Sequence, residues 1–212
     1  MEIIWLGHSC FRLRGRDITI VTDPFDRGSG YTLGRVSADV VTVSHSAPDH
    51  SNVQGVAGEP KVVDGPGEYE IGGVLIVGVA TRRDTGAGTG NQRNTAYLIE
   101  MDDLTVCHLG DLGHILTPKQ VEQMNNADIL LIPVGGNNTI NAAQAAEVVS
   151  QIEPRIVVPM HFKTEVTTLN LDPVSKFLRE MGIADLKPQP RLVVNKGSLP
   201  EETTVVLLDY RR

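Results

Sequence analysis

The sequence predicts an α/β protein in which two β-sheets pack face to face with helices laid on the outside. Strand-like apolar runs crowd the first half of the chain, and the second half alternates such runs with helical segments. Several runs, among them Asp39–Val43 and Arg155–Val158, also lack the polar alternation of a half-exposed strand, which suits strands covered on both faces.

In chain order, Glu2–Leu6, Cys10–Leu13, Asp17–Thr22, Asp39–Val43, Lys61–Val63 and Val74–Ala80 read as strands, separated by glycine pairs, Asp-Pro and Gly-Pro-Gly turns. Thr95–Glu100 and Leu104–Leu109 flank Met101-Asp102-Asp103, a hairpin turn. Thr117 and Pro118 supply an N-cap and a first-turn proline for a helix to about Met124. Asp128–Val134 follows as a strand, Asn141 caps an Ala-rich helix to about Ile152, and Arg155–Pro159 is the next strand. Asp172-Pro173 repeats the cap signal for a helix ending near Gly182, and Val205–Leu208 is the last strand.

With 212 residues and no linker or repeat, the chain is expected to form one domain over 1–212. A composition that is 41% hydrophobic and 21% charged excludes a disordered chain. No apolar run approaches the ~20 residues of a membrane helix, and the start lacks the pattern of a signal peptide. Two cysteines, Cys10 and Cys107, are too few for a disulfide scaffold, so a reducing cytoplasm is expected. The net charge of −7 argues against a nucleic-acid partner held by phosphate contacts, and no membrane partner is expected. Oligomeric state is left open.

The informative feature is where the apolar runs end. Five of them finish on an acid or an imidazole: His8, Asp23, His45, Asp111 and His161. Turns favour aspartate, so one such ending means little. If the strands share a direction, however, all five side chains converge on one sheet edge, and imidazole with carboxylate is a metal-ligand chemistry. His45-Ser46-Ala47-Pro48-Asp49-His50 adds density there. No Ser/His/Asp or Cys/His arrangement competes as a nucleophile. Cys107 shares strand parity with Asp111 but lies deeper, as a buried hydrophobe, and His108 has the opposite parity and reads as packing.

These segments, in this order, resemble the metallo-β-lactamase superfamily, whose signature after an apolar strand is His-x-His-x-Asp-His. The match includes Asp23 in Thr-Asp-Pro-Phe, Gly110-Asp111 and His161 in Pro-Met-His-Phe. Gly7-His8-Ser9 and Pro133-Val134-Gly135-Gly136 look like the branch of small single-domain hydrolases that contains L-ascorbate-6-phosphate lactonase. The resemblance implies a four-layer αββα sandwich with metal at the sheet edge. It also implies a metal-dependent hydrolase that lowers the pKa of a bound water from ~16 toward ~7 to attack an ester, lactone, amide or phosphoester.

The departures from that pattern are as telling. Ala47 stands where the family has its second histidine, and Thr81-Arg82-Arg83-Asp84 stands where it has a mid-chain histidine. The resemblance therefore implies one tightly held ion on Asp49, His50, Asp111 and His161. His45 would contact a bound water or complete the shell. Zinc is the ion expected of a His-rich set, with manganese or iron as alternatives.

Asp49 and His8 are the catalytic candidates, His8 against a developing oxyanion. Asp23 is expected to orient a ligating histidine through its free ring nitrogen. His114, Asp84 and Glu68 are the remaining candidates for the missing ligands, with helix-entry packing preferred for His114 and solvent exposure for Glu68. Arg82, Arg83 and Arg93 flank the glycine-rich stretch 86–90, which could receive an anionic group of a small-molecule substrate, although an ordinary solvated loop is the preferred reading. Two other functions stay open: a phosphodiesterase or nuclease that rebuilds a second metal site through His8 or His114, and a non-catalytic relative that binds a metal or ligand.

Overall fold

A computed structural model describes residues 1–84 and 93–210. The first sheet contains β1 (Glu2–Gly7), β2 (Cys10–Arg14), β3 (Thr19–Thr22), β5 (Val40–Thr42), β7 (Lys61–Val63) and β14 (Leu192–Val193), in the order β14-β1-β2-β3-β5-β7. The second contains β8 (Gly67–Ile71), β9 (Val74–Arg82), β10 (Arg93–Met101), β11 (Leu104–His108), β12 (Ile129–Pro133), β13 (Ile156–Met160) and β15 (Thr204–Val205), in the order β15-β13-β12-β11-β10-β9-β8. β4 (Val36–Ser37) and β6 (Val56–Ala57) form a small separate pair. The helices are α1 (Pro118–Met124), α2 (Ala142–Ile152) and α3 (Val174–Glu180).

Period-two alternation sorts the first sheet's side chains between two apolar clusters. Ile3, Trp5, Phe11, Leu13, Ile20, Val40 and Val63 face the second sheet and join the main core. Leu6, Cys10, Val21 and Val41 face the other way and pack with Phe25, Tyr31, Val36 and Val56. This double burial explains the missing polar alternation. The outer face is covered by the 25–36 and 53–57 segments with their short 3-10 turns, whereas the described α-helices all follow strands of the second sheet. The sandwich therefore has one full helical layer and one thin irregular one.

Local sequence explains most boundaries. Thr117 and Asn141 each close a capping box with Gln120 and Gln144. Asp102 and Asp103 both take positive φ (55° and 65°), making the tight turn that twists correctly into the β10–β11 hairpin. Asp172 does not cap α3; Pro173 holds that position, and the Asp172 carboxylate pairs with Lys176 at 2.7 Å. β8 lies where Gly-Pro-Gly reads as a turn, and it hydrogen-bonds along β9 as an edge strand.

Strand direction positions the site. β1, β3 and β5 point the same way, since β2 is antiparallel to β1 and β3, and β3 is parallel to β5. β11, β12 and β13 are mutually parallel. The two sheets are tied together where these strands end. His161 N–H donates to the His8 carbonyl (3.2 Å) and Thr95 N–H to the Ser44 carbonyl (2.9 Å). The Tyr97 hydroxyl shares its proton between the Val43 and Val63 carbonyls, at 2.8 and 3.1 Å. Among the described residues, no helix is long and apolar enough to cross a membrane.

Candidate metal centre

Five strands deliver the five side chains to one edge. His8 follows β1, Asp23 follows β3, His45 to His50 follow β5, Asp111 follows β11 and His161 follows β13. His8, Asp23 and His161 sit in the left-handed backbone region, at φ 53°, 40° and 52°. Such a conformation costs a non-glycine residue about 1–3 kcal/mol and recurs at functional sites. Gly110 is also left-handed (φ 55°), and a Cβ there would stand 2.5 Å from the Ser44 Cβ, so only glycine lets Asp111 approach the opposite sheet.

Two overlapping groups have ligand atoms all within 4.8 Å of one another: His8, His50 and His161, and His45, His50 and Asp111. His50 Nε2 lies 3.0 Å from His8 Nε2 and 3.2 Å from Asp111 Oδ1. His161 Nε2 is 3.5 Å from the same oxygen, and His45 Nε2 is 3.7 Å from Asp111 Oδ2. Asp49, a predicted ligand, belongs to neither group and stands at the rim, its Oδ2 3.4 Å from His8 Nε2 and its side chain 26% exposed.

Asp23 fixes two tautomers. Its Oδ2 accepts from His50 Nδ1 at 2.7 Å, so the His50 proton that an incoming cation would displace is the one on Nε2, inside the cage. The same carboxylate accepts the Ser44 backbone N–H (2.7 Å) and the Ser44 hydroxyl (2.6 Å). Because the single hydroxyl proton goes to Asp23, Ser44 Oγ must accept from His45 Nδ1, 3.0 Å away, and His45 Nε2 is left bare. Asn94 sets Asp111 in turn. Its Oδ1 accepts the Asp111 N–H at 3.0 Å, while its amide donates to Thr81 Oγ1 and the Leu109 carbonyl.

The electrostatics follow from this crowding. Burial alone would lower His50, but the charges and hydrogen bonds of Asp111 and Asp23 raise it to about 10. Burial lowers His161 to about 3, and burial with the charge of His50 lowers His45 to about 4, so both rings are neutral. Burial would raise Asp111, Asp23 and Asp49, but neighbouring histidines outweigh it: His50 and His161 for Asp111, His50 for Asp23, and His8 with His50 for Asp49.

The donor set fits a divalent cation. His45 Nε2 is buried without a hydrogen-bond partner, His50 Nε2 stands 3.0 Å from His8 Nε2 and 3.2 Å from Asp111 Oδ1, and His161 Nε2 lies 3.5 Å from that same oxygen. A buried lone pair without a donor is costly, and a cation shared among them removes that cost.

Three candidates fall outside the cage. His114 accepts the Arg82 N–H on Nε2 (3.3 Å) and donates from Nδ1 to the Ile115 carbonyl (2.8 Å), so neither ring nitrogen is left for an ion. Glu68 is exposed on β8. Asp84 belongs to neither group of convergent ligand atoms, and its backbone N–H binds the Asn138 carbonyl. His108 packs as expected, with Nε2 2.8 Å from the Ser9 carbonyl.

Sequence reasoning missed Ser44, although a hydroxyl directly before His45 was a usable signal. It also undervalued Arg83, which contacts Asp111 Oδ2 through Nε (3.2 Å) and Nη2 (3.1 Å). The glycine-rich stretch 86–90 lies outside the described residues.

Residues 2–161 match the family described as the Beta-lactamase superfamily domain. A UPF0173 protein of Pyrococcus furiosus is 32% identical over 187 residues, covering 77% of this chain and 84% of that one. A UPF0173 metal-dependent hydrolase of Pyrococcus horikoshii is 28% identical over 229 residues, covering 91% and 99%. Among solved structures, a Thermotoga maritima protein described provisionally as a Zn-dependent hydrolase of the metallo-β-lactamase superfamily superposes with a TM-score of 0.82. It is 39% identical, and the match covers 99% of both chains.

Proposed function

This chain belongs to the β-lactamase superfamily, and from that premise we propose that it is a metal-dependent hydrolase of a small-molecule ester, lactone or phosphoester, built around one tightly held divalent ion. The observation that carries this reading is the convergence of buried ligand atoms in two groups that share His50, one with His8 and His161 and the other with His45 and Asp111. Asp49 completes the set from the rim. Zinc suits three imidazoles best, with manganese or iron as alternatives where carboxylate makes up more of the set. Two free, buried cysteines, Cys10 and Cys107, support a reducing, cytoplasmic setting.

A divalent ion in this cage supplies a Lewis acid that polarises the scissile group and makes water acidic enough to attack near neutral pH. The protein's own residues do the rest. Asp23 and Ser44 hold the His50 and His45 rings with their Nε2 atoms inward. Asn94 holds the backbone of Asp111 so that its carboxylate stands between the histidines. Asp49, ionised and partly exposed, is placed to take a proton from the attacking water at Oδ2 and return it to the leaving group. His8 sits beside that oxygen and offers a contact to negative charge developing on the substrate.

Metal analysis of the purified protein, with hydrolysis of a panel of esters, lactones and phosphoesters, tests the reading. One zinc, manganese or iron per chain is expected. Asp49→Ala is expected to lose at least a hundredfold in rate with an unchanged melting curve. A chain that binds no divalent ion, or an Asp49→Ala variant that keeps its activity, would overturn it.

A further inference from the structure

The two groups of convergent ligand atoms share His50 but divide Asp111 between its two oxygens. Oδ1 faces His50 and His161, and Oδ2 faces His45. On the Oδ2 side stands Arg83. Its Nε and Nη2 both reach that single oxygen, at 3.2 and 3.1 Å, and its side chain is only 14% exposed. A guanidinium remains charged at every physiological pH and has no lone pair to offer a metal. Beside it, the bare His45 Nε2 has no acidic partner nearer than 3.7 Å.

We infer that Arg83 occupies the place of a second metal ion, so that the centre is built for one divalent cation and one fixed guanidinium. The inference rests on the metal-hydrolase reading above and adds what sets the metal count. In that arrangement Asp111 would be balanced by the ion held with His50 and by Arg83, which already reaches Oδ2. A second divalent ion beside His45 would meet a permanent positive charge within contact distance and a carboxylate oxygen already engaged by two N–H donors. Ala47, whose methyl group offers no donor, leaves the His45 side short of ligands as well. Arg83 is thus a positioning residue that holds the Asp111 carboxylate, and its charge performs part of the electrostatic work of a second cation.

The test is metal stoichiometry, which does not depend on knowing the substrate. Chelator-stripped wild type, Arg83→Met and Arg83→Lys are titrated with Zn²⁺ by calorimetry, and bound zinc is counted after dialysis. Wild type and Arg83→Lys are expected to bind one ion. Arg83→Met, which removes the charge at similar length, is expected to show a second, weaker binding event, at least tenfold tighter than any second event in wild type. Melting curves of the three stripped proteins confirm that each is folded, and Arg83→Lys separates loss of charge from loss of the side chain. Identical one-ion titrations for Arg83→Met and wild type would overturn the inference and leave the hydrolase reading standing, and two ions in wild type would overturn the inference together with the one-ion count while leaving metal-dependent hydrolysis standing. No ion in wild type would overturn both.

Discussion

Asp23 never touches the space an ion would fill, yet Asp23→Asn should damage metal binding as much as the loss of a weak ligand. Its buried carboxylate accepts three hydrogen bonds of 2.6–2.7 Å, from the Ser44 backbone, the Ser44 hydroxyl and His50 Nδ1. An asparagine has one oxygen for these three donors. If that oxygen faces Ser44 Oγ and His50, the amide N–H₂ meets the Ser44 N–H head on. If the amide is turned the other way, His50 must move its proton to Nε2, which removes the lone pair from the cage. Either outcome forfeits at least one charge-assisted hydrogen bond, about 1.5–3 kcal/mol. Partners that orient a ligating histidine are worth roughly 10–100-fold in metal affinity, or about 1.4–2.8 kcal/mol. The assay is a competition titration of Zn²⁺ against a calibrated chelator, with urea unfolding of the stripped protein measured in parallel. Affinity within threefold of wild type would show that His50 keeps its tautomer without Asp23, and the relay through Ser44 to His45 would fall with it.

Asn94→Ala should destabilise the protein by about 2–4 kcal/mol by urea unfolding, because it strands the buried Asp111 N–H and the Leu109 carbonyl together and opens a small void. A loss under 1 kcal/mol would mean that the strand end holds its shape unaided. The metal-stripped protein should be most stable between about pH 6 and 7. Below an unfolded histidine pKa of ~6.5, the unfolded chain takes up protons at His45 and His161 that the folded chain, at about 4 and 3, refuses, so stability falls as pH falls. Above ~6.5 the folded chain keeps a proton on His50, at about 10, that the unfolded chain has released, so stability falls again as pH rises. Each proton contributes a slope of up to about 1.4 kcal/mol per pH unit. Urea midpoints from pH 5 to 9 with chelator present check this, and a flat or monotonic profile would contradict it.

The strand ends were legible in the sequence because their signal is local. An apolar run followed by His8, Asp23, His45, Asp111 or His161 needs only the assumption of a shared direction, and the pairing of β1, β3 and β5, and of β11 and β13, supplies it. Thr117 and Asn141 were legible for the same reason, since a capping box is written within four residues. What was not legible depends on partners distant in the chain. His114 has ligand chemistry, but its two ring nitrogens are taken by the backbone of Arg82, from the end of β9, and of Ile115. Arg83 looks like any charged loop residue until β9 and β11 lie close enough for it to reach Asp111. The short strands β4, β6 and β14 lack enough residues for a periodic pattern, and β8 was hidden by its Gly-Pro-Gly approach.

The cage concentrates in one place features that are scattered elsewhere in the chain. Three non-glycine residues sit in left-handed backbone, several buried polar atoms have no partner, and two imidazole nitrogens face each other at 3.0 Å. Such crowding needs support from the fold. It persists because each strained residue closes a strand whose side chains are locked in the core, with Trp5 Nε1 donating to the His8 carbonyl (2.9 Å) and His161 N–H donating to the same oxygen. The backbone strain is therefore held by packing on one side, and a cation would offset the crowding of the ligand atoms on the other. It follows that ligand-side variants should uncouple binding from folding. His161→Ala keeps the left-handed backbone and trades a desolvated imidazole for a small void, so the stripped variant should stay folded with a urea midpoint near that of stripped wild type, while its zinc affinity collapses. A stripped His161→Ala protein that unfolds at markedly lower urea would show that the imidazoles serve the fold before they serve the ion.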